Sequence, residues 1–266
     1  MRLALFGMGD AGSRFGADLA AAGVEVHGYD PADVPTPAGV CRHGEPRPAV
    51  AGVDVVLGLT AAADAPEALA QALDDIPAAA VYADLSTAAR SLKQQLAATA
   101  AARGLAFADV ALMAVVAGKG LHTPVLVSGS GAEAFAALFR PLGTPVELAG
   151  DEAGMAATRK LLRSVMIKGM TAVLIEAMRA SAAAGLAVET WGNLVDQFAA
   201  ADEVFLQRLV SGTGPHAARR LHEMEAAADL LDELGIEPLL TSATVESLRR
   251  IESGEIELPL IPGARP

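Results

Sequence analysis

Residues 154–170 read "GMAATRKLLRSVMIKGM", a helix-forming segment whose only charged side chains are four cations. Lys160, Ser164 and Lys168 recur at steps of four and so share one stripe of a helix, while Leu161, Leu162, Val165 and Met166 cover much of the rest. A helix this apolar around its circumference is normally buried, and lysines are seldom buried unless paired or working. Desolvation and the neighbouring charges of Arg159, Arg163 and Lys168 would lower the pKa of Lys160 toward the range where it accepts a proton. The chemistry such a stripe offers is proton transfer by a lysine of lowered pKa. Lys168 can equally lay its stem on apolar surface and reach water.

A second constellation lies in "RLALFGMGDAGSRFG", where Gly7, Gly9 and Gly12 have the G-x-G-x-x-G spacing between a strand pattern and a helix pattern. Gly7 allows the tight turn, Gly9 removes the Cβ that would block a pyrophosphate, and Gly12 lets the helix pack close to the sheet. The helix N-terminus, with Met8, Asp10 and Ala11 around it, presents free N–H groups to phosphates. The next strand pattern, "VEVHGYD", ends at Asp30, 18 positions after Gly12, close to the spacing at which an acid accepts hydrogen bonds from adenosine ribose hydroxyls. A carboxylate there favours NAD, since a 2′-phosphate would meet like charge. Leu59 and Thr60, at the end of a later strand pattern, are assigned to the same site. Flavin dinucleotide and S-adenosylmethionine sites share parts of such a turn, so the glycines alone do not select a nicotinamide.

The elements that must position these residues are legible as a pattern. Through the first 150 residues, apolar runs of strand length ("RLALFG", "VEVHGYD", "VDVVLGL", "AVYADLS", "LAFADVA", "TPVLVSG", "PVELAG") alternate with helix-length segments. This predicts an α/β domain, a doubly wound, mostly parallel sheet, over residues 1–150. From 151 to 266 long Ala/Leu/Met-rich stretches follow one another without strand signals, predicting an all-α second domain broken at "SGTGP". The closing "ELPLIPGARP" reads as a loose tail.

Composition limits the partners. The 266 residues are 52% hydrophobic but only 4% aromatic, and 32 acids against 20 bases give a net charge of −12. Without a basic run, nucleic acid and anionic membranes are excluded as partners. No uncharged run reaches the roughly 18 residues of a membrane span and no signal peptide precedes the first strand, so a soluble, unprocessed chain is expected. The single cysteine, Cys41, cannot form an internal disulfide, and no Cys/His cluster has zinc-site spacing; we expect no metal and a reducing, cytoplasmic compartment.

Beyond these readings, the chain resembles the β-hydroxyacid dehydrogenase family, which includes 3-hydroxyisobutyrate and 6-phosphogluconate dehydrogenases. "GMGDAG" resembles the family's Gly-x-Gly-x-Met-Gly turn with Ala11 in place of methionine, and "DLST" (84–87) resembles its Asp-x-Ser-Thr segment beside nicotinamide and substrate. "GMAATRKLLRS" is similar to the Gly-x-Gly-x-x-x-Lys-x-x-Asn-Asn helix, with Ala156 for the second glycine and Arg163-Ser164 for the asparagines. Met113, Ala114 and Val115 replace the Ser-Gly-Gly of the substrate loop, and His222 stands where a second lysine approaches the cofactor. With "SVMIKGM" and "ARRLHEME", these changes resemble a sub-branch of phosphogluconate-dehydrogenase-like proteins whose C-terminal domain has no assigned function.

The resemblance implies a Rossmann domain and a helical domain with the active cleft between them, a homodimer, and NAD as cofactor with NADP as the alternative. It implies hydride transfer between nicotinamide and a small hydroxy acid or related carbonyl compound. Lys160 would be the general acid/base, Ser164 would position it, and Ser86 would hold the polar end of the substrate. Ser86 and His222 would flank the cofactor; Met113, Ala114, Val115 and Lys168 would meet the substrate, favouring a more apolar or bulkier one. The rivals are an imine reductase, against which the retained Lys160 speaks, and a catalytically silent dinucleotide-binding sensor or assembly protein.

Overall fold

The computed structural model describes residues 1–261, so residues 262–266 of the expected tail lie outside the described residues. The chain divides into two compact units, Met1–Ser164 and Val165 onward. In the first, β1 (Arg2–Phe6), α1 (Asp10–Ala21), β2 (Glu25–Tyr29), β3 (Val40–His43), α2 (Pro46–Val50), β4 (Val55–Gly58), α3 (Ala65–Ala72) and β5 (Val81–Asp84) alternate. There follow α4 (Arg90–Ala101), β6 (Ala106–Leu112), β7 (Val125–Ser128), α5 (Ala132–Phe139) and β8 (Val146–Leu148).

The strands form one eight-stranded sheet in the order β3-β2-β1-β4-β5-β6-β7-β8. All pairs are parallel except β6 with β7. This is a Rossmann-type α/β sheet whose order reverses between β1 and β4, the place where such sheets open a crevice at their strand ends. Alternate residues feed two cores. Leu3, Leu5 and Val26 face one layer of helices with Phe15 and Phe135, and Ala4, Phe6, Val56 and Tyr82 face the other with Leu69 and Leu96.

Two local results depart from the pattern reading. Edge strand β3 was not expected: its sequence "VCRH" is polar, but an edge strand packs on one side only and needs little apolar content. Its parallel pairing with β2 sets His27 opposite Cys41, and with His43 the ligand atoms of these three lie within 4.8 Å of one another. The sequence has no Cys/His run of zinc-site spacing, and sheet pairing nevertheless brings these three side chains together, which sequence spacing cannot show.

The second unit contains the rest of α6 (Met155–Ala183), then α7 (Ala187–Ala199), α8 (Glu203–Ser211), α9 (Ala217–Glu233) and α10 (Leu239–Glu252). No described helix is long and apolar enough to cross a membrane. The expected burial of α6 is not found: Leu162, Val165 and Met166 are 66, 74 and 55% exposed. Ala156 and Ala157 in its first turn are buried, and the larger apolar side chains remain at the surface of the single chain.

Within this unit Leu221, Val245 and Leu248 join α9 to α10. The buried carboxylate of Glu176 accepts hydrogen bonds from Leu240 N–H (2.9 Å), Thr241 N–H (2.8 Å) and the Thr241 hydroxyl (2.7 Å), satisfying the open amides at the start of α10. Burial alone would raise the Glu176 pKa, but these donors outweigh it and hold the carboxyl below its ordinary 4.5. Glu176 therefore stabilises the fold above that value, and the contribution fades as pH falls through the depressed folded pKa. Glu176→Gln is expected to cost about 1–3 kcal/mol at pH 7 in urea unfolding. The difference from wild type should shrink in acid; a difference that is constant with pH would contradict the assignment.

Candidate functional site

The glycine-rich turn joins β1 to α1 at the reversal point of the sheet. Gly7 has φ +92°, and a Cβ on it would lie 2.4 Å from the Leu59 carbonyl oxygen; a Cβ on Gly12 would lie 1.9 Å from the Gly7 oxygen. Both glycines are required by the protein's own packing. Gly9 differs: a Cβ there would meet no atom within 4 Å, so its bareness opens space toward an approaching group at the N-terminus of α1.

Beside it is a cavity of about 390 Å³ lined by Gly7, Gly9, Tyr29, Asp30, Leu59 and Thr60, with Asp64 and Glu67 farther along. Its size is that of a small-ligand cleft. Asp30 Oδ2 accepts the Met8 N–H at 2.7 Å and Oδ1 the Ala32 N–H at 2.9 Å, so the carboxylate shapes the turn as well as facing the cavity. Thr60 Oγ1 is buried without a hydrogen-bond partner among the described residues, a cost that a ligand atom would relieve. Met8 is itself buried, Ala11 packs on the core, and exposed Asp10 pairs with Arg14 at 3.0 Å. The turn fits a dinucleotide pyrophosphate: Gly9 and the α1 amides for the phosphates, Asp30 for a ribose, Thr60 for a further polar contact.

A separate group gathers where β5, β6 and the start of α6 meet. Asp84 and Asp109 are register partners on β5 and β6, both fully buried. Fully buried Lys93 lies between them, its ammonium donating to Asp84 Oδ2 at 2.6 Å and to the Asp84 carbonyl at 2.9 Å, and standing 3.2 Å from Asp109 Oδ1. The second Asp109 oxygen accepts from Ser128 Oγ (3.1 Å), Gly154 N (3.1 Å) and Ala157 N (3.0 Å). Ser128 Oγ in turn accepts Ala156 N–H at 3.0 Å, so the first amides of α6 are satisfied by a buried ionic network. On β5, burial and the nearby Asp84 charge push the Tyr82 phenol far up and keep it neutral.

This network places the "DLST" segment and α6 against each other. Ser86 is buried and spends its hydroxyl proton on Asp84 Oδ2 at 2.8 Å, while Lys160 donates to Thr87 Oγ1 at 2.8 Å. Ser86, Thr87, Asp109, Ala157 and Lys160 line one recess. The neighbouring cations are also engaged: Arg159 with Glu147 at 2.6 Å, and Arg163 with the Met113 carbonyl at 2.9 Å. Met113 is half-buried, its N–H bound to the Pro124 carbonyl; Ala114 is half-buried and Val115 is 76% exposed. Ser164 is half-buried on α6. Lys168 and His222 belong to the second unit; both are exposed, and His222 pairs with its helix neighbour Glu225 at 3.3 Å.

Lys93 and Asp109 were not singled out from sequence, and Thr87 entered only as the last residue of the "DLST" segment. A signal existed for the first: Lys93 shares the buried stripe of α4 with Leu96 and Ala100, a core-facing register no lysine occupies without partners.

Residues 2–144 match the family model described as the NAD binding domain of 6-phosphogluconate dehydrogenase, and residues 182–251 match a domain of unknown function, DUF1932. Comparison with curated proteins gives no match. Among solved structures, a conserved hypothetical protein from Sinorhizobium meliloti 1021 is 27% identical, covering 98% of this chain and 91% of its own, with a TM-score of 0.62. An imine reductase from Myxococcus stipitatus in complex with NADP+ aligns at 17% identity over 96% of this chain and 95% of its own, TM-score 0.80. A conserved protein of unknown function, described as structurally similar to 3-hydroxyacid dehydrogenases, aligns at 24% identity over 96% and 98%, TM-score 0.61. The last two likenesses show the shared fold.

Replacing Lys93 by Met would leave two carboxylates buried side by side without a cation. Lys93→Met is expected to lower stability by about 3–5 kcal/mol in urea unfolding, with Lys160→Met costing under about 1 kcal/mol. Equal costs would mean that the buried network does not organise the site.

Proposed function

The chain belongs to the family of the 6-phosphogluconate dehydrogenase NAD binding domain, and from that membership we propose an oxidoreductase of the β-hydroxyacid dehydrogenase type that acts on CH–OH groups. A nicotinamide dinucleotide, when bound, supplies the hydride acceptor or donor. Gly7, Gly9 and Gly12 with Met8, Asp10 and Ala11 would hold its pyrophosphate, and Asp30, Leu59, Thr60 and Ser86 its other parts. The observation that carries the reading is the Lys160 ammonium at 2.8 Å from Thr87, at a site held by a buried ion network. In reduction Lys160 donates a proton to the substrate oxygen; in oxidation, as the neutral amine, it takes the hydroxyl proton. Ser164 steadies that lysine from one helical turn away. Met113, Ala114 and Val115 shape the substrate side, and these apolar residues favour a hydroxy acid or carbonyl compound with a bulkier apolar group.

NAD is favoured over NADP because the charged side chains lining the cavity are all acids, Asp30, Asp64 and Glu67, which would repel a 2′-phosphate. The nearby Arg42 guanidinium is engaged by the carbonyls of Asp30, Ala32 and Val34. The Rossmann domain would span residues 1–150 and the substrate and dimerisation domain 151–266. A cytoplasmic setting accords with a lone exposed cysteine.

The test is a screen of hydroxy acids, ketones and imines with both cofactors. We expect alcohol or ketone turnover, kcat/KM at least about tenfold higher with NAD, and a loss of about 10²–10⁴-fold in kcat for Lys160→Ala. Undiminished turnover in the variant removes Lys160 from the chemistry, and turnover of imines alone transfers the chain to the imine-reductase reading. Tight NAD binding with no turnover would favour a sensor.

A homodimer is part of the proposal. Val188, Trp191, Val195 and Phe198 form an exposed stripe on α7 at helical spacing, 83, 55, 48 and 49% exposed, and a patch of that kind marks an association surface. Light scattering should give twice the chain mass for wild type and the single-chain mass for Trp191→Glu/Val195→Glu. A monomeric wild type would contradict it.

A further inference from the structure

We propose that His27, Cys41 and His43 form a binding site for one divalent transition-metal ion of the zinc class, on the edge of the sheet. None of the three residues lines the glycine-rich cavity or the recess at Lys160, and the site does not rest on the oxidoreductase reading.

The placement follows from strand geometry. Cys41 and His43 are two residues apart on β3 and so point to one face, and the parallel register sets His27 of β2 opposite Cys41 on that same face. His27 Nδ1 lies 2.8 Å from His43 Nε2, and the ring centres are 5.1 Å apart with planes inclined by only 24°. The two nitrogens therefore confront each other along the line between the rings, and the Cys41 sulfur completes a triangle with no edge longer than 4.8 Å. Tetrahedral zinc with nitrogens at about 2.0–2.1 Å holds them about 3.4 Å apart, so the pair must open by roughly half an ångström.

An outer group is already in place. Glu25, two residues before His27 on β2, lies 2.9 Å from His27 Nε2. A carboxylate there accepts a hydrogen bond from Nε2–H and so leaves Nδ1 as the lone-pair nitrogen, aimed at the cluster; metal-bound histidines are typically oriented by such a partner. Arg2 Nε lies 3.7 Å from the same Glu25 oxygen and adds a favourable charge beside it. The burial is graded: His27 buried, His43 half-buried and Cys41 exposed, which gives an ion a route in and leaves a fourth position for water. One thiolate with two imidazoles selects zinc, cobalt or copper over magnesium or calcium. On binding, the thiol proton is released and the proton between the rings moves to the outer nitrogen of His43, so one proton leaves per ion.

Cys41 is the single cysteine of the chain, so thiol chemistry reports this site alone. The full-length protein, freed of reductant and chelator, is titrated with Co(II) as the probe. The expected result is one Co(II) per chain, a thiolate-to-cobalt charge-transfer band, and d–d bands of tetrahedral intensity. Zn(II) should displace the cobalt and slow disulfide-reagent labelling of Cys41 by at least tenfold. Cys41→Ser should abolish the charge-transfer band, and His43→Ala should weaken binding at least tenfold, with circular dichroism establishing that each variant is folded. A wild type without the charge-transfer band, labelling unchanged by Zn(II), or equal uptake by a folded Cys41→Ser/His43→Ala variant would overturn the site. None of these readouts uses enzymatic turnover, so failure here is distinguishable from failure of the proposed function.

Discussion

Two aspartates on neighbouring strands, Asp84 and Asp109, face the same side of the sheet where no water reaches them. Buried alone they would repel each other and lose their hydration, a penalty of several kcal/mol per ion. Lys93 from α4 makes the arrangement tolerable by lying against both. The consequences extend outward through hydrogen bonds. Asp84 accepts a hydrogen bond from the Ser86 hydroxyl within the "DLST" segment, while Asp109 accepts from the first amides of α6 and anchors the start of that helix. Lys160, one turn into the helix from Ala156, meets Thr87 because both of their backbones are anchored to the same ion network.

Much of this was legible in advance where the information is local. Strand and helix alternation, the glycine-rich turn and the change to helices near residue 150 are all short-range patterns, and the sheet and helices follow them. What was not legible depends on pairing between distant segments. Strand β3 carries Cys41, Arg42 and His43 and has no apolar pattern, yet it is stabilised by hydrogen bonding to β2 and becomes the sheet edge. The partners of Lys93 lie at β5 and β6, so its role is unreadable without knowing that these strands adjoin. The antiparallel turn of β7 is equally a tertiary fact.

The cations of the first α6 turns illustrate the division. Their spacing and apolar surroundings marked the helix, and each proves to have a specific partner: Glu147 for Arg159, Thr87 for Lys160, the Met113 carbonyl for Arg163. The expectation that a helix this apolar is buried did not hold, since Leu162, Val165 and Met166 stay exposed. Hydrophobic periodicity marks an apolar face and does not show whether the single chain covers it.

The central claim is that the buried network acts on chemistry through Lys160, and a double-mutant cycle on kcat tests it most directly. With Lys93→Met, Lys160→Ala and the double variant, each established as folded, the account predicts strong non-additivity: Lys93→Met slows turnover in the Lys160 parent and has little further effect once Lys160 is alanine. Costs that simply add would show that Lys93 and Lys160 act independently and would contradict the account.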